Sequence, residues 1–132
     1  MNLAGSSSVS RIRVIMEVMG NGVIHCELIR HLSPLTVASI LRALPICGRL
    51  HHLGDKLAYF ETGLNIGAEK QRGVFDIGDI GYMTSNGSLC VVIQDITGIM
   101  MNPVGRVLDN LDPLLTLSAG QTLSIKRVED NL

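Results

Sequence analysis

Residues 73–93 read GVFDIGDIGYMTSNGSLCVVI, and this stretch decides the fold. Gly73, Gly78, Gly81 and Gly87 divide it into short segments. Leu89, Cys90, Val91, Val92 and Ile93 form an unbroken apolar run rich in β-branched side chains, which suits a strand buried on both faces. Ser85, Asn86 and Gly87 just before that run are turn formers, and asparagine and glycine tolerate positive φ. The stretch is expected to be an antiparallel hairpin.

Working upstream, Ile12, Val14 and Met16 alternate with Arg13 and Glu17 over residues 11–18, and a second apolar segment follows at 23–29. Gly20-Asn21-Gly22 lies between them. Asn-Gly favours a two-residue primed turn, so these segments are expected to pair as a second hairpin. Ser33-Pro34 is a helix start, with Ser33 as cap and proline in the first turn. Leu35, Ala38, Leu41 and Leu44 recur at helical spacing until Pro45 stops the run. Residues 49–53 and 56–61, joined at Gly54-Asp55, are expected to be strands, and Tyr59 and Phe60 suit that state. Residues 62–72 lack alternation and form a long surface loop of the kind that often borders a ligand site.

Downstream, residues 96–102 are expected to be an irregular connection with Met100 and Met101 at an apolar tip. A strand at 104–107, a short helical segment at 108–117 and a last strand at 122–128 complete the chain. Strands outnumber helices and no βαβ alternation is visible, which argues for a closed antiparallel β-barrel of about eight strands, its ends capped by two short helices.

The 132 residues are 46% hydrophobic, enough for one core, so residues 11–130 are expected to be a single domain preceded by a flexible polar tail, 1–10. Eleven basic against twelve acidic residues give a net charge of -1, with the basic ones scattered along the chain, which argues against nucleic acid as a partner. No run approaches the roughly 18 apolar residues of a membrane-spanning helix, so no membrane partner is expected. Cys26, Cys47 and Cys90 form no Cys-x-x-Cys pair and lie in apolar segments. They are expected to be reduced and the protein cytoplasmic.

Several segments resemble the small prokaryotic cyclophilin-like barrel family. Leu53-Gly54-Asp55 with Tyr59-Phe60 is similar to that family's Trp-Gly-Asp/Glu block ending in Tyr-Phe. Residues 75–82, FDIGDIGY, are similar to its acidic, glycine-punctuated strand, and residues 89–93 to the strand after it. Asn102-Pro103-Val104-Gly105-Arg106-Val107, then Leu111 and Ala119-Gly120-Gln121, are similar to its ending. Leu53 stands where the family usually has tryptophan, and residues 83–86 replace a Trp-Pro-Pro type of turn. Both changes remove aromatic surface.

The resemblance implies a cyclophilin-like barrel that holds a peptide or small molecule in a groove formed by Tyr59, Phe60, the 62–72 loop, Tyr82, Met100 and Met101. The alternative is a weak peptidyl-prolyl cis-trans isomerase using the same groove. Its chemistry needs a donor aimed at the rotating amide. Arg49 and Arg72 are the candidate catalytic donors by position, although an ordinary solvated charge is the commoner role for either. The Phe-His-Arg and Phe-Met-x-Gln blocks of cyclophilins proper are missing.

No cofactor is expected. His51-His52 does not suit a shared metal, because strand neighbours point to opposite faces. Asp76 and Asp79 are read the same way, against a paired-carboxylate site. Cys90 in its apolar strand reads as structural rather than nucleophilic. The groove or an exposed barrel edge is also a candidate homodimer contact.

Overall fold

The computed structural model describes residues 10–115 and 120–128. The expected tail lies almost wholly outside these residues, as do 116–117 of the second helical segment and 129–130 of the expected domain. Strands β1 (Arg11–Val18) and β2 (Gly22–Ile29) pair along their whole length, from Arg11↔Ile29 to Val18↔Gly22. The alternation in β1 sends Ile12, Val14, Met16 and Val18 into the core. The connection is a three-residue turn rather than the expected two-residue one, with Gly20 and Gly22 both at positive φ. The extra residue lets Asn21 reach across the molecule, where its side-chain amide donates to the Pro113 carbonyl at 2.8 Å.

After a 3₁₀ turn at Arg30–Leu32 comes α1 (Pro34–Ala43), which stops before a cis Leu44-Pro45 bond. Its inward face is shifted from the expected stripe, of which Leu41 and Leu44 are partly buried against the larger core. Thr36, Val37 and Ile40 are buried, whereas Leu35 is 74% exposed. The helix is rotated this way because Thr36 is bonded to a distant loop carboxylate. That carboxylate, not Ser33, caps the helix: the Ser33 side chain makes no cap bond.

The expected strand 49–53 is divided. β3 (Ile46–Arg49) pairs with the last strand, β10 (Thr122–Arg127), while β4 (His51–Leu53), one residue further on, pairs with β5 (Leu57–Glu61). The remaining strands are β6 (Arg72–Phe75), β7 (Asp79–Met83), β8 (Ser88–Val92) and β9 (Ile96–Val107), and α2 (Asp112–Leu115) precedes β10. All pairings are antiparallel, in the order β3-β10-β1-β2-β9-β7-β8-β5-β4, with β6 paired to β9 off this path.

This corrects the closed barrel of about eight strands: the sheet has ten strands and no ladder closes it. Its two ends are consecutive pieces of chain, hinged at buried Leu50. A Cβ on Gly48 of β3 would lie 2.9 Å from both the Glu61 carbonyl oxygen and the Phe60 ring. The two edges therefore meet through packing, at a distance only glycine permits.

The expected irregular segment 96–102 is also corrected, because β9 is one strand of 12 residues. Its first part pairs with β6, and its second part pairs with β7 and β2. The apparent breakers mark irregular points: Gly98 has φ +93, and Pro103 lies opposite Gly81 where the β7–β9 register shifts.

Two cores result. The larger fills the curled sheet and is capped by α1, with Ile12, Val14, Val37, Ile40, Phe60 and Tyr82 among its members. The smaller, formed by Leu57, Phe75, Cys90, Val92, Ile96 and Met101, lies on the other face of β5 and β8, under the β6–β9 ribbon. β8 is thus buried on both faces, as its unbroken apolar run predicts: Leu89 and Val91 face the larger core, Cys90 and Val92 the smaller. No helix among the described residues is long and apolar enough to cross a membrane.

Candidate functional site

Residues 62–71 cross the molecule between β5 and β6, held by side chains from distant elements. The Tyr82 hydroxyl donates to the Leu64 carbonyl at 2.8 Å and accepts from the Ile66 amide at 3.1 Å. Buried Asn102 accepts from the Glu69 amide at 2.9 Å and donates to the Gly67 carbonyl at 2.9 Å and to the Thr36 hydroxyl at 3.1 Å. Glu69 then caps α1. Its carboxylate accepts from the amides of Leu35 and Thr36 at 3.0 and 2.8 Å and from the Thr36 hydroxyl at 2.7 Å.

Partial burial pushes the Glu69 carboxyl up. The bonds from Leu35 and Thr36 and the nearby Lys70 charge outweigh it, so the group titrates below its ordinary value. Leu64 and Ile66 pack onto the larger core. The expected surface loop is thus a bonded strap with apolar contacts beneath it.

The smaller core has an accessible rim, where Tyr59, Met83 and Ile99 are half-buried. His51 stacks on Tyr59, with ring centroids 5.3 Å apart and planes at 27°. Met100 is 53% exposed, and its sulfur lies where a Cβ on Gly73 would be only 2.9 Å away. Arg72 enters the same ribbon. Its guanidinium carbon stands 4.8 Å from the centroid of the Phe75 ring, and a terminal nitrogen is 3.3 Å from the Asp79 carboxylate. Asp79 also accepts from the Asp76 amide at 2.9 Å, fixing the turn that returns the chain into β7.

The five residues expected to line one groove are therefore distributed. Phe60 and Tyr82 lie in the larger core and Met101 in the smaller, all buried; Tyr59 is on the rim and Met100 on the surface. The two methionines face apart because neighbours on a strand alternate. Arg49 is exposed at the end of β3, far in sequence and pairing from the Arg72 cluster.

His51 and His52 do diverge: His52 Nε2 lies 3.3 Å from the Leu114 carbonyl oxygen. Among the described residues no group of three His, Cys, Asp or Glu side chains is arranged to hold a metal. Cys26 and Cys90 are buried, whereas Cys47, expected to behave as a core hydrophobe, is exposed. Burial pushes the Cys90 thiol up to about 12, and burial with the Asp109 charge does the same to Cys26.

Thr36, Glu69 and Asn102 organise this region and were not read from the sequence. The available signal was Asn102, an amide between apolar Met101 and Pro103, since a polar group in such a setting needs partners when buried.

A curled antiparallel sheet with a helix over one mouth and a two-stranded ribbon packed on its outer wall defines a small β-barrel-like domain. Residues 10–126 match the family model described as cyclophilin-like, and the chain belongs to that family. The solution structure of the hypothetical protein AF2241 from Archaeoglobus fulgidus is similar in fold, with a TM-score of 0.76 and 22% identity over 90% of this chain and 96% of that one. The structure of McbB in complex with tryptophan is also similar, with a TM-score of 0.72 and 15% identity over 90% of this chain and 46% of McbB. No curated protein matches the chain significantly.

Proposed function

We propose that this chain is a binding module that holds a short peptide or small apolar molecule along the rim of the smaller core. The observation that carries the reading is that rim: Tyr59, Met83 and Ile99 are half-buried at the margin of a packed layer, while exposed Met100 projects from the opposite face of β9. A ring beside the Met83 thioether and the Ile99 side chain offers adaptable apolar contact. Phe60 and Tyr82 contribute from behind the wall, Tyr82 by holding the 62–71 strap, and Met101 supports the floor.

The alternative, a weak prolyl isomerase, is favoured by Arg72, whose guanidinium Asp79 and Phe75 hold at the ribbon. Binding remains the better supported reading because the Phe75 ring is buried and leaves no open proline pocket beside the guanidinium.

Exchange NMR with a set of Xaa-Pro peptides, combined with amide-shift mapping, tests both. Binding without catalysis is expected, with saturable shifts at Tyr59, Met83 and Ile99 and no accelerated exchange. Accelerated exchange that Arg72→Ala abolishes while the shifts persist would establish the isomerase instead. Saturable shifts confined to other surfaces would overturn the rim as the site.

A further inference from the structure

Arg30, Arg42 and Arg127 are scattered in the sequence, yet the fold gathers them around one cleft of about 270 Å³ whose remaining lining is Ala38 and Leu41. Each arrives from a different element. Arg30 is in the 3₁₀ turn after β2, Arg42 is in the last turn of α1, and Arg127 ends β10.

Arg127 is the informative one. Period-two alternation puts it on the same face of β10 as buried Leu123 and Ile125, and its register partner is fully buried Val14. This is a core-facing position, and Arg127 reaches solvent only because the strand ends at the mouth covered by α1. Leu41, partly buried against the larger core, supplies an apolar floor. No carboxylate lines the cleft among the described residues.

We infer that this cleft is an anion site for a small organic phosphate monoester with an apolar body, the phosphate held by Arg42 and Arg127 and the body resting on Ala38 and Leu41. Guanidinium groups present planar forks that match phosphate oxygens, and a phosphate monoester brings three acceptors and close to two charges, more than one carboxylate can offer several arginines. The cleft is at the small end for ligand pockets, which suits one ring and its head group better than a length of chain. The positive charge is local, on a protein whose net charge is -1. The site lies at the α1 mouth, apart from the ribbon rim, so it stands or falls independently of the binding reading above.

The test is an amide-shift titration of the full chain with phenyl phosphate, beside inorganic phosphate and benzyl alcohol, which each supply half of the ligand. Saturable shifts are expected at Ala38, Leu41, Arg42 and Arg127, with affinity at least about tenfold above either half. Arg42→Ala with Arg127→Ala is expected to weaken binding about tenfold or more, and Arg42→Lys with Arg127→Lys, which keeps the charge, to recover only part of it.

Absence of saturation would overturn the site. So would lysine variants that bind as tightly as the wild type, since a diffuse positive field would then suffice. A phosphotyrosine peptide that bound about tenfold more tightly than phenyl phosphate would overturn the small-molecule assignment. Glu129 and Asp130 follow Arg127 closely in sequence and carry the same sign of charge as the ligand. Glu129→Gln with Asp130→Asn is expected to bind at least as tightly, and loss of binding in that variant would count against the arginines as the seat.

Discussion

At the scale of single residues, Glu69 does what the sequence assigned to Ser33. Three donors of α1 converge on its carboxylate although it lies 33 residues from Thr36, and a negative charge there also opposes the helix dipole. Removing such a cap costs about 1 kcal/mol, so Glu69→Ala is expected to lose about that much stability at neutral pH by urea denaturation. The pH dependence has a definite sign. The folded-state value lies below the unfolded one, so the stabilisation is fully present above about pH 4.3 and is lost as pH falls through the folded value. The gap between wild type and Glu69→Ala should therefore narrow on acidification; a gap of constant size from neutral to acid conditions would remove the carboxylate charge from the explanation. Asn102 and Tyr82 complete the same bonding from the sheet side, so the strap's position depends on buried polar groups that are each satisfied.

At the scale of elements, β9 shows most sharply what the sequence conceals. Hairpin β1–β2 and doubly buried β8 were legible because alternation and unbroken apolar runs are local signals. β9 was not, because Gly98 and Pro103 resemble breakers until its long-range partners β6 and β7 are known. The rotation of α1 escaped for the same reason: its stripe of Leu35, Ala38 and Leu41 has helical period, but Glu69 and Asn102 decide which face turns inward. Gly105 gives the element-scale prediction. A Cβ there would run into the Glu27 carbonyl oxygen where β9 pairs with β2, and nearby Leu28 Cα is only 3.0 Å away. Backbone on both sides cannot yield as a side chain can, so Gly105→Ala is expected to destabilise by about 3 kcal/mol, at the upper end for overpacking. Gly67→Ala, with nothing within 4 Å of its Cβ, should change stability by less than about 0.5 kcal/mol. Similar denaturation midpoints for the two variants would show that β2 and β9 can move apart, contrary to the close approach described.

For the whole molecule, the sequence indicated an antiparallel β fold with two short helices capping the ends of a closed barrel, but closure depends on how far the sheet curls, and that is set by contacts such as Gly48 on Phe60 that no local pattern encodes. The outer layer was likewise hidden, because a strand buried on both faces announces two neighbours without naming them. The cysteines sample these layers separately: Cys47 is on the surface, Cys26 in the larger core and Cys90 beneath the ribbon. Since both buried thiols are pushed up to about 12, their thiolate fraction at neutral pH is negligible, and labelling requires the protein to open. One thiol is therefore expected to react rapidly in native buffer and all three after unfolding in guanidinium. The smaller core buries less apolar surface and is covered only by the β6–β9 ribbon, so opening of the ribbon should need less free energy than opening of the barrel. Cys90 is then expected to label faster than Cys26 as urea is raised below the main transition, with peptide mapping to identify each site. Equal labelling rates at every urea concentration would instead mean that ribbon and barrel open as one cooperative unit, and that the half-buried rim of Tyr59, Met83 and Ile99 is as rigid as the core behind it.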